Sequence, residues 1–461
     1  MKKNKPIHYL LFFLFAAALG AGCGKDFLEK KPSKALLVPA TPADFRALLD
    51  NNQVFNYSPA LTSLADGDLV VSDAGFNGYG EDYERTSYTW AKEIFTGSPA
   101  LDWSRPYQQV FYANIVLDGL NELKPATSAA AELNVIKGTA LFYRAYAFFN
   151  LAQQFALPYR QETADADPGI PLPLSSPVVR QLPRASLAVT YDRILTDLRE
   201  ARRLLPSTAA YKSRPVTAAA FGMLARVNLA MENYAAAGRY ADSCLELRSA
   251  LIDYNTLNPT ANRPFPSALP NGNDEVIWYA VDNSYSFATS ASPTVADLAF
   301  YNSFHQDDLR KGLFFRPLGD GTFRFKGSYT GNIFNFSGLA ADEIWLIRAE
   351  CRARAGETAG ALSDLNTLLE KRWLAGKFNP VTAADAEAAL RKILEERRKE
   401  LFRRGQRWSD LRRLNRYERL KVTLTRIIAG QTYTLLPESK RYVYPIPPEE
   451  IRLNNIPQNE R

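Results

Sequence analysis

From Asp385 onward, apolar residues recur at helical spacing. Ala386, Ala389, Leu390, Ile393, Leu394, Leu401 and Phe402 fall on one face, with Arg, Lys and Glu opposite. Such a stripe is stable only when its apolar face is covered, so this part of the chain must pack helix on helix. Gly405 stops the stripe, and Trp408, Leu411 and Leu414 continue it as a second, shorter one. The same period recurs upstream. Tyr107 to Leu123 and Ala131 to Phe155 read as a helical pair, dense in aromatics at Phe142, Tyr143, Tyr146, Phe148 and Phe149. Tyr191 to Leu205 reads as a further helix, closed by Pro206.

Two segments resemble tetratricopeptide units, in which small residues let paired helices approach closely. The first runs from Phe221-Gly222-Met223-Leu224-Ala225 through Asn233-Tyr234 to Ala237, Ala241 and Leu245. The second places Trp345 and Ala349 before Gly356-Glu357 and Ala361, although Arg348 and Arg352 stand where that motif takes apolar or aromatic residues. Between the helices lie two irregular regions, Leu61 to Asp102 and Asp253 to Leu339, rich in Gly, Asn, Ser, Pro and aromatics. Ordered loops of this length usually carry function. Gly75-Phe76-Asn77-Gly78-Tyr79-Gly80 lacks the GxGxxG spacing and reads as a mobile loop. Gly319-Asp320-Gly321, between Phe315 and Phe325, reads as a hairpin turn.

Lys2, Lys3 and Lys5, an apolar run from Ile7 to Ala21 and the small residues Gly20-Ala21-Gly22 have the layout of a secretory signal over residues 1–22. The run is too short to span ~30 Å of hydrocarbon comfortably. Cys23 follows it and resembles the lipidated cysteine of a bacterial lipobox, while Gly24-Lys25-Asp26 resembles the signal that sends Bacteroidetes lipoproteins to the outer face of the outer membrane. Several acyl chains at Cys23 would hold the protein firmly, at ~0.8 kcal/mol per buried CH2. Loss of the three lysines lowers the formal charge from +7 to +4. The remaining Lys and Arg are interspersed with Asp and Glu, which argues against a phosphate-binding stripe and against nucleic acid. With 46% hydrophobic residues the chain can bury a large core. Cys244 and Cys351 sit in helical patterns and read as buried free thiols, although an oxidising compartment would permit a disulfide.

Histidine gives the sharpest exclusion, because only His305 lies outside the signal. Two or three imidazoles for zinc cannot be assembled from one, and any Ser-His or Cys-His pair would have to use it. No GxSxG, HExxH, Walker loop or CxxC is present. Asp66, Asp68, Asp73, Glu81 and Asp82 are numerous enough for a two-carboxylate hydrolase. Acid-rich loops are far more often solvated turns, so no catalytic role and no cofactor or metal is assigned.

These residues carry a resemblance that extends over almost the whole chain after Cys23. Asp26-Phe27-Leu28-Glu29, Thr41-Pro42-Ala43-Asp44-Phe45, Tyr112-Ala113-Asn114-Ile115-Val116-Leu117, Gly138 to Tyr146, Gly169-Ile170-Pro171-Leu172-Pro173 and Tyr191 to Leu198 occur in order. Glu396 to Leu401, Gly405-Gln406-Arg407-Trp408-Ser409-Asp410-Leu411-Arg412-Arg413, Tyr444-Pro445-Ile446-Pro447 and Gln458-Asn459 follow. The set resembles the SusD/RagB family of Bacteroidetes nutrient-binding lipoproteins, with Arg404 standing where the family commonly has Glu. Arg397, Glu400, Arg407, Trp408 and Asp410 in these blocks are read as ion pairs and stacking that lock the last helices together, not as a binding site.

The resemblance implies a mainly α fold with four tetratricopeptide-like helix pairs and a loop-rich face turned to ligand and transporter. Residues 23–461 would form one unit, with a loop-bearing part to about 340 and a helical signature from about 341. It implies a non-enzymatic lipoprotein on the extracellular face of the outer membrane, anchored at Cys23. Such a protein passes nutrient to a SusC-like TonB-dependent transporter, which it covers like a hinged lid. Glycan is the family's commonest cargo, and a RagB-like member takes peptides. A tetratricopeptide scaffold without a small ligand, or a surface hydrolase, are the readings from other classes. Because sugars pack their C–H faces on aromatic rings, the ligand candidates are Tyr79, Tyr83, Tyr88 and Trp90 in the first loop region and Tyr285, Phe287, Phe300, Tyr301 and His305 in the second. Trp103 and Trp278 are assigned to the core.

Overall fold

Ser186, Asn233 and Asp385 each accept a hydrogen bond from the backbone amide three residues on, at Val189, Ala236 and Ala388, and a helix begins directly after each. The computed structural model describes residues 39–96, 100–123, 130–177, 181–289 and 292–461. Its longer helices are α1 (Pro42–Leu49), α2 (Leu101–Glu122), α3 (Ala130–Phe155), α4 (Leu187–Leu204) and α5 (Thr217–Ala230). They continue with α6 (Tyr234–Leu247), α7 (Ala341–Arg354), α8 (Thr358–Glu370), α9 (Ala386–Glu400) and α10 (Arg407–Leu414). Each of α2 to α8 packs on the next in chain order, and α9 returns to α7. Pro42–Arg461 form one compact unit. Among the described residues no helix is long and apolar enough to cross a membrane. Cys23, the signal and Asp26-Phe27-Leu28-Glu29 lie outside the described residues.

The helices expected from the periodicity are present, with two starts moved upstream. Helix α4 begins at Leu187 because Ser186 caps it. Helix α2 begins at Leu101, ahead of Pro106, because Asp102 and Trp103 are buried and anchor its first turn. The glycines of the α5–α6–α7 stack sit where helices approach closely. A methyl added at Gly238 would lie 3.2 Å from Cys351 Cβ, and one at Gly222 3.5 Å from Cys244 Sγ. Both thiols are free and buried. Arg348 and Arg352, out of place in an apolar motif, both grip Asp364 at 2.8–2.9 Å, where their partly buried charges are satisfied.

The C-terminal family blocks form a chain of buried ion pairs. Arg397 meets Asp410 at 2.9 Å, and Arg413 joins Asp410 to Glu350. Glu400 accepts from Arg310 at 3.0 Å and from Arg372 at 2.7 Å. Arg404, the departure from the family pattern, is buried with Asp342 at 2.9 Å. Trp408 packs on Tyr442 at 4.8 Å, and the Gln458 amide bridges both backbone polar groups of Ile446.

The two irregular regions are more regular than their composition suggests. The first contains short helices at Leu61–Ala65, Asp73–Asn77 and Asp82–Tyr88. The glycine-rich run read as a mobile loop is therefore partly helical. Ser72 caps it by accepting from the Gly75 amide at 3.2 Å, and Gly75 is pressed against Pro293. Short strands zip this region to the second. Tyr57–Ser58 runs parallel to Val281–Asp282, and Leu69–Val70 antiparallel to Val295–Ala296. The turn at Gly319-Asp320-Gly321 joins strands Phe315–Pro317 and Phe323–Phe325 as expected. A second hairpin, Leu424–Ile428 with Gln431–Leu435, was not foreseen from the sequence.

Candidate ligand-binding face

The layer between the two loop regions is organised around Asp102. Its carboxylate accepts from the Leu61 amide at 2.9 Å, the Asn283 amide group at 2.9 Å and the Tyr285 hydroxyl at 2.6 Å. Burial raises this carboxyl above its usual range, and these donors pull it part of the way back. Glu84 ties the layer a second time, accepting from the Phe287 amide at 2.8 Å and the Ser286 hydroxyl at 2.7 Å. The first loop region thus supplies both carboxylates, and the second supplies Asn283, Tyr285, Ser286 and Phe287 as their donors.

This arrangement buries most of the candidate rings. Tyr79 bonds Thr294 at 3.0 Å, and Tyr83 meets Tyr285 edge-on at 5.6 Å. Tyr88 and Trp90 lie beneath the Arg426 guanidinium, at 3.7 and 4.6 Å from their centroids. The Trp90 indole also donates to the Ala65 carbonyl at 2.9 Å. Phe287 stacks on Tyr285, and Phe300 packs on Phe402 at 4.9 Å. These seven side chains are buried and give a ligand no open ring face, so they act as packing here. The remaining two are reachable. Tyr301 is half-buried and stacked on Phe323 at 3.5 Å, with the Lys311 ammonium 4.8 Å from its centroid. His305 is exposed, stacks on Trp373 at 5.0 Å and accepts from the Asp307 amide. Trp103 and Trp278 are in the core, as expected.

What the face presents instead is a cavity of about 90 Å³ with Asp282, Asn283 and Asn335 in its wall and Ile333 and Phe334 at its rim. Ile333 is 60% exposed and Phe334 37%. The tip that carries them is held rigid. The Phe334 carbonyl accepts from the Ser328 and Thr330 hydroxyls at 2.7 and 2.8 Å, and its amide donates to Asn332 at 2.8 Å. Its signal in the sequence is the pair of apolar residues Ile333-Phe334 inside the turn-forming run Gly331-Asn332 and Asn335.

Asp282 is the unusual group of this wall. It is 3% exposed, yet neither carboxylate oxygen has a hydrogen-bond partner of good geometry. Burial pushes its carboxyl up to about 8 against the pull of Arg403, and the Asp102 and Asp66 charges add to the rise. A folded value above the unfolded one, about 3.9, means that its contribution to stability is complete below that lower value and is lost as pH rises through about 8. Asp282→Asn should therefore be more stable than the parent at pH 9, by a margin that shrinks to nothing near pH 4. Urea denaturation at both pH values checks this, and a margin independent of pH would refute it.

Glu275, Asp342 and Glu400 bring ligand atoms within 4.8 Å of one another, the spacing of a cation site. Arg372 and Arg310 are bonded to Glu400, Arg372 also to Glu275, and Arg404 to Asp342. The cluster is thus compensated by guanidinium groups and is a structural knot.

Comparison with known proteins agrees with this architecture. Residues 26–229 match a SusD-like family profile described as "starch-binding associating with outer membrane", and residues 342–460 match the profile of the SusD family. The chain belongs to the SusD family. It is 23% identical over 528 residues to SusD-like protein P2 of Formosa agariphila, an alignment that covers 98% of this chain and 99% of that one. Among solved structures, a SusD-like carbohydrate-binding protein from Bacteroides vulgatus superposes with a TM-score of 0.67 at 21% identity, covering 90% of this chain and 97% of the other. A SusD superfamily protein from Bacteroides fragilis gives 0.72 at 19% identity, covering 91% and 99%. The mainly helical SusD fold is therefore shared, and association with the outer membrane is the description of the profile that matches residues 26–229.

Proposed function

We propose that this SusD family chain is a lipoprotein, anchored through Cys23 on the extracellular face of the outer membrane. It binds nutrient glycan and passes it to a SusC-like TonB-dependent transporter without transforming it. The observation that carries the reading is the rigid wall of the 90 Å³ cavity. Asn335 keeps an amide nitrogen without a hydrogen-bond partner of good geometry in that wall, suited to a sugar hydroxyl, and Phe334 at the rim offers an apolar surface for a sugar C–H face. Tyr301 stands as a further contact on the same loop-rich half of the chain.

A screen of glycans and oligopeptides against residues 24–461 tests this reading. Phe334→Ala should weaken the bound glycan about tenfold, or roughly 1.4 kcal/mol, with the fold intact. Retention of peptides alone would move the chain to the RagB-like class. Unchanged affinity in both Phe334→Ala and Tyr301→Ala would remove the proposed site. Copurification with a large barrel protein from solubilised outer membranes checks the partner.

A further inference from the structure

A second groove runs past the turn Tyr211–Arg214, between the end of α6 and residues 269–277. Two cavities, of about 500 and 440 Å³, share Tyr211 and Arg214 as walls. The turn is locked from many sides. Its Lys212 amide donates to the Pro270 carbonyl at 3.0 Å, and the Lys212 carbonyl accepts from the Tyr279 amide at 2.8 Å. The Ser213 carbonyl accepts from three side chains, Asn56 at 3.1 Å and Tyr143 and Trp278 at 3.0 Å each. A backbone this constrained nevertheless presents a ring that is 48% exposed, at Tyr211. An aromatic held out on a fixed support loses little freedom on binding, which is how preorganised recognition surfaces gain affinity.

The polar groups around the ring have the matching chemistry. Arg214 holds Asp50 through two bonds of 2.7 and 2.6 Å, and its guanidinium lies 5.3 Å from the Tyr211 centroid. This leaves a fixed planar pair beside an aromatic surface. Lys212 donates one hydrogen to the Asn273 carbonyl and keeps further donors, and Arg248 lines the same wall. Asp274 is the one acidic side chain in the wall of the larger cavity, so cationic charge is in excess there. Charge-assisted bonds to carboxylate or sulfate are stronger than neutral ones and suit both cations.

We infer that this groove is a second saccharide site, which takes an acidic oligosaccharide, its sugar ring stacked on Tyr211 and its carboxylate or sulfate groups held by Lys212 and Arg248. The assignment rests on the glycan-binding reading above and extends it from one contact point to two along a chain.

Titration calorimetry with a panel of oligouronates and sulfated oligosaccharides, neutral oligosaccharides of equal length and oligoglutamate tests it. Tyr211→Ala should weaken the acidic glycan at least tenfold, and Tyr211→Phe should leave affinity within twofold, because the ring face and not the hydroxyl makes the contact. The double variant Lys212→Gln, Arg248→Gln should weaken the same glycan and flatten its salt dependence. Equal affinity for Tyr211→Ala and parent, tighter binding of neutral sugars than acidic ones, or oligoglutamate bound as tightly would overturn the proposal. Loss of all glycan binding in Phe334→Ala with Tyr211→Ala unaffected removes the second site alone. Absence of binding to every glycan removes both.

Discussion

Arg372→Ala should unfold the protein at a denaturant concentration far below that of the parent, with a loss of about 3–5 kcal/mol. Arg372 is fully buried and bridges two carboxylates, Glu275 at 2.9 Å and Glu400 at 2.7 Å, while it also donates to the Ile252 carbonyl at 3.0 Å and lies 4.0 Å from the Tyr254 ring centroid. Removing it leaves those carboxylates together with Asp342 in one dry cluster. Burial already holds the Glu275 carboxyl at about 7, and without the guanidinium it can only go higher. The native state must then take up protons or bear the repulsion. Against a total stability of about 5–15 kcal/mol, either is severe. Arg372→Lys should recover only part of the loss, because a point ammonium cannot span both carboxylates as a planar fork does. Equilibrium urea denaturation measures both, and a loss below about 1 kcal/mol for the alanine variant would contradict the account.

Trp90→Ala should likewise cost about 3–5 kcal/mol while leaving glycan affinity of the folded protein unchanged. The indole is 1% exposed and its backbone sits at φ +52°, a left-handed conformation that a bulky residue keeps only when its surroundings force it. Truncation opens a cavity, leaves the Ala65 carbonyl without its donor and strips a ring from beneath Arg426. Trp90→Phe should lose less. A folded Trp90→Ala protein with weakened glycan binding would return this ring to the ligand surface.

Those two residues mark where sequence reading stops. Trp408 was legible as structural because it opens a local apolar stripe, and Glu400 only through the family blocks, since its partners Arg310 and Arg372 lie in the second irregular region and past the end of α8. Trp90 and Tyr285 were not legible as buried. Their environment is made by pairings such as Tyr57 with Val281 and by bonds such as Asp102 to Tyr285, across 183 residues. Loop composition says nothing of such pairings. Aromatic content points to rings that pack, while Phe334 stands open on a tip held by Ser328 and Thr330. The late hairpin escaped for a different reason. Its inward positions are Leu424, Arg426 and Ile428, and a charge in the middle of the buried face breaks the alternation that identifies a strand.

That hairpin has a consequence for the order of assembly. Arg426 donates to the Leu64 and Tyr88 carbonyls, the first of them 362 residues away, and Arg398 bonds Asp68 across 330. The loops nearest the amino terminus therefore wait for nearly the last residues of the chain before their backbone is satisfied. A nascent or truncated protein can stack its helices early, since those contacts are local. It cannot satisfy the Leu64 and Tyr88 carbonyls, and so cannot close the layer between the two loop regions, until the hairpin Leu424–Leu435 is in place.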